Sequence, residues 1–168
     1  IHLLQNQIKN QNKDLLKNRW DNFQNFLKKT SEIKEWKEEK YQEGFLKDIF
    51  QDCLGYTLDT TNSKEFNLEK EKKNINNSKK ADGAILVNGN VVGVIELKGQ
   101  DTKNFETKGK NVIEQAFGYL TSHSRKFAHY VIISNFDEIR FYIDDKLNYQ
   151  SYSLFNLTYE EFEEFHYL

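Results

Sequence analysis

Two acidic residues and a lysine are spaced so that they would lie on neighbouring β-strands. Asp82 precedes the apolar run 83–87, and Glu96 and Lys98 end a second apolar run that begins at Val91. Glu96 and Lys98 are two residues apart, so they project from the same face of a strand. Glu96 interrupts an otherwise apolar strand, where an unpaired carboxylate would cost several kcal/mol. Its position therefore indicates a binding partner.

The turn between the two strands decides whether Asp82 and Glu96 meet. We expect residues 88–90, Asn-Gly-Asn, to form a three-residue loop with its last asparagine in the left-handed conformation. In that register Asp82 lies directly opposite Glu96, with about 4.5–5.5 Å between their Cβ atoms. A two-residue turn would shift the pairing by one residue and send Asp82 to the other face. The hypothesis therefore depends on the length of the loop.

Two facing carboxylates repel each other, and without a partner one of them resists ionisation. Mg²⁺ reverses this preference, because it takes oxygen ligands and keeps several waters, leaving room for a phosphate and an attacking water. The metal lowers the pKa of its water, and a nearby ammonium orients that water and stabilises the transition state. Asp82, Glu96 and Lys98 supply these groups, which predicts metal-dependent hydrolysis. The alternative is an exposed Glu-Lys pair at a strand end that binds nothing.

Other kinds of site have little support. The four histidines show no metal-ligand spacing, and no serine lies in a nucleophile elbow. The single cysteine, Cys53, excludes an internal disulfide framework and a cysteine-based zinc site. No phosphate-binding loop of the Gly-x-x-x-x-Gly-Lys-Ser/Thr type is present. No apolar stretch is long enough to span a bilayer and no secretory leader is recognised, so we expect a cytoplasmic location without membrane contact.

The periodicity of the apolar residues predicts the elements that would position these groups. Spacings of three and four indicate a helical extension over 1–30 and a second helix from Thr30 to Gly55. From Tyr56 the period changes to two, with a strand in 56–66 followed by a polar loop over 67–80. The other predicted elements are strands at 82–87, 91–98, 129–134 and 138–143, an edge strand in 149–155, a helix over 106–122 and a last helix capped by Thr158 with Glu161.

The net charge of -2 excludes a protein that is basic overall, although lysines cluster before Asp82 and after Lys98. Both central strands are apolar on both faces, which indicates a sheet covered by helices on two sides. The chain begins with Ile1 and contains no methionine, so we expect a fragment of a longer protein.

The residues around Asp82 and Glu96 resemble a known group. Ala81-Asp82 followed by Val94-Ile-Glu96-Leu-Lys98 is similar to the active-site motif of the PD-(D/E)XK nuclease superfamily, with Ala81 where the name expects proline. Gln115 and Tyr119 match a Gln-x-x-x-Tyr element found downstream in restriction and recombination nucleases. The segment Glu43–Phe50 resembles the early helix of the nuclease domain in type IIG enzymes, which fuse restriction and methylation in one chain. The segments 131–136 and 139–142 resemble the strand pair that follows in those enzymes and in type I restriction subunits.

The resemblance implies an α/β fold with a restriction-endonuclease-like mixed central β-sheet flanked by helices in an αβββαβ core. Residues 1–30 would be the N-terminal helical extension and residues 31–168 the nuclease domain. It also implies roles for individual residues. Asp82, Glu96, Glu43 and the Leu97 carbonyl would bind the metal, Lys98 would position the water, and Gln115 would support catalysis. The residues expected to contact DNA are Lys79, Lys80, Lys103, Lys108 and Tyr119.

The resulting prediction is a Mg²⁺-dependent DNA endonuclease domain of a restriction–modification enzyme, a type II deoxyribonuclease of the type IIG kind. Its partners would be double-stranded DNA, a C-terminal methyltransferase that binds S-adenosylmethionine, a target-recognition region, and a second copy in a transient dimer. Two alternatives stay open. One is the nuclease domain of a type I restriction subunit, and the other is a catalytically inactive nucleic-acid-binding module of the same fold.

Overall fold

Five α-helices and six β-strands form the part of the chain that the structure, a computed structural model, describes: residues 12–72, 79–107, 111–124 and 126–168. The helices are α1 (Lys13–Leu27), α2 (Thr30–Glu35), α3 (Glu38–Phe45, continued by a π-helical turn, Leu46–Gln51), α4 (Val112–Thr121) and α5 (Tyr159–Phe165). The strands are β1 (Leu68–Lys70), β2 (Gly83–Val87), β3 (Asn90–Leu97), β4 (Tyr130–Ser134), β5 (Glu138–Ile143) and β6 (Tyr149–Ser153). None of these described helices is long and apolar enough to cross a bilayer.

The six strands form one mixed sheet in chain order, β1 to β6. All neighbouring pairs are antiparallel except β3 and β4, which run parallel because the chain returns through α4. This arrangement confirms the predicted restriction-endonuclease-like α/β fold with a central mixed sheet flanked by helices.

Apolar side chains cover both faces of the sheet, as the uninterrupted apolar strands predicted. On one face Ile95 and Leu97 pack with the aromatic side chains of the first helices and α5, among them Phe45. On the other face Val94 packs with α4 through Ala116. The catalytic candidates therefore sit at the end of a central strand that is held rigidly from both sides.

The predicted helix from Thr30 to Gly55 is interrupted. Trp36 takes an extended conformation, with ψ of 142°, and ends α2 before α3 begins at Glu38. No glycine or proline marks this break, so periodicity alone did not find it. The predicted stop at Gly55 is confirmed, since Gly55 follows the π-helical turn with φ of +86°.

Three other predicted boundaries differ from the structure. The strand expected in 56–66 is reduced to one bridge between Leu58 and Leu68, and β1 forms instead in the segment predicted to be a polar loop. β1 is short and lies at the sheet edge, where polar residues are tolerated. α4 begins at Val112 and not at residue 106, because the Asn111 side chain caps it by accepting the Glu114 N–H.

The β2–β3 hairpin corrects the expected loop length but keeps the expected alignment. Its turn has two residues, Asn88 and Gly89, with φ of 51° and 78°, so the left-handed residue is not Asn90. Such a turn by itself would move Asp82 to the wrong face. A β-bulge at Val92, the extra residue between the pairs Leu86↔Val91 and Ile85↔Gly93, shifts the register back. The pairing continues to Gly83↔Ile95, so Asp82 and Glu96 are neighbours as predicted.

Two glycines give opposite predictions for stability. A Cβ on Gly55, whose φ is +86°, would clash with the guanidinium of Arg19, whereas a Cβ on Gly118 in α4 would meet nothing within 4 Å. We expect Gly55→Ala to lower the free energy of unfolding by about 1–2 kcal/mol. Gly118→Ala should raise it by about 0.5–1 kcal/mol, because alanine loses less backbone entropy in a helix. Urea unfolding followed by circular dichroism measures both, and a shift in the same direction for the two variants would contradict the local geometry.

Candidate active site

Asp82 and Glu96 are held together by the start of β2 and the end of β3. Glu96 pairs with Ile133 of β4 and is 3% exposed. Asp82 directly precedes β2, and its Oδ2 accepts a hydrogen bond of 2.7 Å from the backbone N–H of Leu97. The Asp82 side chain thus continues the hydrogen bonding between β2 and β3 beyond the last backbone pair. The carboxylate of Asp82 is thereby fixed beside that of Glu96.

Lys98 lies on the same side as Glu96, as the two-residue spacing predicted. Its Nζ is 3.2 Å from Glu96 Oε1, and its backbone N–H donates to the Ser134 carbonyl at 2.8 Å. Burial lowers the pKa of Lys98, but the carboxylates of Glu96 and Glu38 outweigh burial and raise that pKa above its ordinary value. Lys98 is therefore a charged ammonium, which donates hydrogen bonds and does not act as a base.

The two carboxylates are electrostatically unfavourable as they stand. Burial, then repulsion from Asp82, raises the pKa of Glu96 to about 8, although Lys98 opposes the shift. Burial also raises the pKa of Asp82 to about 6 against the lowering effect of the Leu97 N–H. Glu96 Oε2 is buried without a hydrogen-bond partner among the described residues. The site thus holds acceptor capacity and negative charge that a cation would satisfy.

The donor set fits an open Mg²⁺ site. Within the described residues no three His, Cys, Asp or Glu side chains form a cluster suited to a metal. Mg²⁺ does not require one, because it is commonly held by one or two carboxylates and keeps several waters. The unpartnered oxygen of Glu96 beside the Asp82 carboxylate is the observation that carries this fit.

A further acid, Glu38 of α3, lies near the two carboxylates and acts on them through its charge. Its Oε1 accepts a 2.9 Å hydrogen bond from Gln42 Nε2, which also lies 3.4 Å from Asp82 Oδ1. Burial raises the pKa of Glu38, while Lys98 and the backbone N–H of Gly99 lower it. Glu38 and Gln42 are four residues apart and share the helix face toward the sheet.

Glu43, the acid predicted from the same helix, is placed elsewhere. Its carboxylate is 57% exposed and forms an ion pair of 2.9 Å with Lys70 at the edge strand β1. It lies one residue beyond Gln42, about 100° further around the helix. The break at Trp36 was the missing information, since it makes Glu38 part of the first turn of α3.

Neutralising these two helix acids should therefore have unequal effects. We expect Glu38→Gln to reduce metal-dependent DNA cleavage by about tenfold or more, because its charge acts on Lys98 and Asp82. Glu43→Gln, the matched control on the same helix, should change cleavage by less than about twofold, as exposed ion pairs contribute little. Initial rates of plasmid nicking compare them. A larger loss for Glu43→Gln would restore the original assignment.

Gln115 and Tyr119 lie on the face of α4 that is turned toward the acids. Gln115 Nε2 donates a hydrogen bond of 2.9 Å to the Tyr119 hydroxyl, so the two side chains form one unit. Burial raises the pKa of Tyr119, Gln115 lowers it, and the charges of Glu96 and Asp82 raise it further. Both residues of the predicted Gln-x-x-x-Tyr pair are thus brought to the site.

Three of the four lysines predicted to contact DNA lie on the protein surface. Lys79, Lys80 and Lys103 are exposed. Lys108 lies outside the described residues. Their exposure is compatible with the sequence-independent contacts to phosphates that the sequence predicts for them.

A polar cleft opens beside Lys98. It has a volume of about 660 Å³ and runs from the loop after β3 to the first turn of α4, where Gln115 lines it. The loop is anchored by Gln100 and Asn135, since Gln100 Nε2 donates to the Asn135 carbonyl at 2.7 Å and Asn135 Nδ2 donates to the Thr102 carbonyl at 2.8 Å. These two residues were missed by the sequence reasoning, because only tertiary contacts reveal them.

Arg140 is a second residue that the sequence did not single out. Its guanidinium lies 5.1 Å from the ring centroid of Phe105 and 5.0 Å from that of Tyr149, and it pairs with Glu138 and Glu106. Arg140 therefore connects β5 to residues 105 and 106 of the loop after β3.

One of three comparisons with known proteins finds a match. The family model described as the type I restriction enzyme R protein N terminus matches residues 2–149, which is most of the chain. No curated protein and no solved structure matches the chain.

Proposed function

The chain belongs to the family of type I restriction enzyme R protein N termini, and we propose that it is a metal-dependent nuclease domain that hydrolyses DNA phosphodiester bonds. The observation that carries the proposal is the buried, unpartnered oxygen of Glu96 next to Asp82, with the Lys98 ammonium beside it. A buried charge cluster of this kind is costly to the fold and is characteristic of functional sites.

Asp82, Glu96 and the Leu97 carbonyl would hold a Mg²⁺ ion, with Glu38 close by. When bound, the ion would supply Lewis acidity, which lowers the pKa of a water and offsets negative charge on the phosphate. The Leu97 N–H holds the Asp82 carboxylate in place at 2.7 Å. The protein's own groups therefore fix two acidic oxygens before any ligand arrives, which reduces the cost of reorganisation.

Lys98 would act on the substrate directly. Its ammonium is held by Glu96 Oε1 at 3.2 Å, with its side chain 22% exposed, so its remaining N–H groups can reach toward the cleft. There it would orient the attacking water and donate to the phosphate oxygen that gains charge. The Gln115–Tyr119 unit would support this end of the substrate, since its hydroxyl lies in the field of the same acids.

The family match favours the type I subunit over the type IIG enzyme, because the family is described by type I R proteins. We therefore propose that DNA is the substrate and that other regions or subunits of a restriction enzyme supply sequence choice. S-adenosylmethionine would be needed only outside this domain. Double-strand cleavage would require a second active site, as in a transient dimer of two copies.

The test of the proposal is plasmid cleavage by the full chain with Mg²⁺ or with EDTA. We expect nicking only with Mg²⁺, and its loss in Asp82→Asn, which keeps the side-chain shape but removes the charge. An inactive DNA-binding module would instead retain supercoiled plasmid under both conditions while still shifting it in a gel. Cleavage that persists in Asp82→Asn would overturn the assignment of the site.

A further inference from the structure

We propose that the polar cleft beside Lys98 binds a second backbone phosphate of the DNA, next along the strand to the phosphate at which cleavage occurs. Two asparagine side-chain amides would bind it. The inference rests on the proposed nuclease function and adds a second substrate subsite to it. The amides belong to Asn104, on the loop after β3, and Asn111, at the start of α4.

Both asparagines use their oxygen for the fold and leave their nitrogen available. Asn104 Oδ1 accepts the Glu106 N–H at 2.8 Å, and Asn111 Oδ1 accepts the Glu114 N–H at 3.0 Å. These bonds fix which end of each amide is the donor. Neither Nδ2 atom has a partner among the described residues, and both residues line the cleft. The cleft therefore presents two oriented neutral donors.

The surrounding residues favour an anion as the ligand of these donors. Thr102 adds a hydroxyl group to the lining, whereas the Thr107 hydroxyl already donates to the Asn104 carbonyl at 3.2 Å. Asp101 is the one acidic residue among the lining residues and is exposed. Lys98 lines the cleft and also contacts Glu96. A phosphate in the cleft and a phosphate beside Lys98 could therefore belong to the same DNA strand. Backbone phosphates are commonly bound by neutral Asn, Ser and Thr side chains, which position the strand without reading its sequence.

The loop that carries Asn104 is connected to the start of α4, where Asn111 lies. Phe105 is buried beneath the loop against Arg140, and its carbonyl accepts the Val112 N–H at 2.9 Å, which ties the loop to α4. Asn104 and Asn111, which both line the cleft, are each next to a residue of this connection. A preorganised pair of donors loses little freedom when a ligand binds.

The test exchanges each donor for an acceptor without disturbing its structural bond. Asn104→Asp and Asn111→Asp keep the oxygen that accepts the backbone N–H, and aspartate caps a helix as well as asparagine does. Each variant replaces the amide by a charge that repels phosphate. We expect each to weaken binding of a fluorescein-labelled DNA duplex by about fivefold or more in anisotropy titrations at low salt in EDTA, where cleavage does not interfere.

Asn62→Asp is the matched control, because Asn62 Oδ1 also accepts backbone N–H groups, from Lys64 and Glu65, but the residue does not line the cleft. It makes the same change in net charge and should alter affinity by less than about twofold. Asn111→Ser, which keeps a capping oxygen and adds no charge, should show a smaller loss than Asn111→Asp.

Two duplexes of different base composition separate phosphate from base contacts. Equal losses on both support the phosphate subsite, whereas a loss confined to one would indicate base recognition and overturn the proposal. Unchanged affinity in both cleft variants, or an equal loss in Asn62→Asp, would also overturn it. Because binding is measured without hydrolysis, the two proposals can fail separately. Unchanged binding in the cleft variants would overturn the phosphate subsite but not Mg²⁺-dependent cleavage. Absence of cleavage would not affect the binding measurements.

Discussion

Lys98→Met is expected to reduce Mg²⁺-dependent DNA cleavage by about a thousandfold while the domain stays folded. Lys98 is the ammonium that contacts Glu96, and a positioned charge that stabilises a transition state is commonly worth about 10²–10³ in rate. Methionine retains most of the aliphatic stem, which is largely buried. Single-turnover cleavage of a labelled duplex by the variant and the wild-type chain measures the loss.

The matched control is Lys34→Met on α2, whose amine lies over the Phe155 ring and away from the acids. Its cleavage rate should stay within about twofold of wild type, as expected for a surface charge. The DNA affinity of Lys98→Met should fall by a much smaller factor than its cleavage rate, because one phosphate contact contributes only a part of the affinity. A Lys98→Met rate within tenfold of wild type would remove Lys98 from the mechanism.

Glu96→Gln is expected to abolish cleavage and, at the same time, to stabilise the metal-free protein. The substitution removes the carboxylate that carries the unpartnered buried oxygen, so metal-induced activity should fall by about a thousandfold. It also removes repulsion with Asp82, the largest cause after burial of the raised pKa of Glu96. We expect the free energy of unfolding to rise by about 1–3 kcal/mol at pH 8 in EDTA.

The pH dependence of stability follows from the same group. Its pKa is about 8 in the folded protein against an ordinary value of 4.5, so the folded state holds a proton that the unfolded state has lost. Wild-type stability in EDTA should therefore be fully supported by this group below about pH 4.5 and decline as the pH rises toward about 8. Glu96→Gln should flatten this decline between about pH 6 and 8, because below about pH 6 the raised pKa of Asp82 contributes a decline of its own.

Mg²⁺ should act in the opposite direction in the wild type. Because the metal displaces the proton, its stabilising effect should increase as the pH rises. Thermal unfolding by circular dichroism across this pH range, with EDTA and with Mg²⁺, tests both statements. A decline of equal slope in wild type and Glu96→Gln would show that another group carries the titration.

The sequence predicted the central part of the site because that part depends on local periodicity. Glu96 and Lys98 share one strand, and a spacing of two fixes their common face. The Gln115–Tyr119 pair depends on one helix and a spacing of four, and the structure joins the two side chains at 2.9 Å. Within single elements, the pattern of residue types carried enough information.

The remaining parts depend on how elements meet, which one sequence does not encode locally. Glu38 lies near Asp82 and Lys98, and Glu43 pairs with Lys70. The start of α3 after an extended Trp36 contributes to this placement, and no local signal marks that residue. The polar strand β1 forms because β2 offers it a partner, so tertiary context overrides its weak strand preference. Gln100 and Asn135 are 35 residues apart and meet only in the folded chain.

Because Val92 is an extra residue in β3, the register of the β2–β3 hairpin depends on the length of its turn and of β3 together. Lengthening the Asn88-Gly89 connection by one residue would displace the acid before β2 unless a residue were removed from β3, so the two changes would be tolerated together and not singly. An engineer who grafts a new tip onto this hairpin must therefore count residues from the bulge. The paired change leaves the number of residues between Asp82 and Glu96 unchanged, and that number is the quantity to preserve.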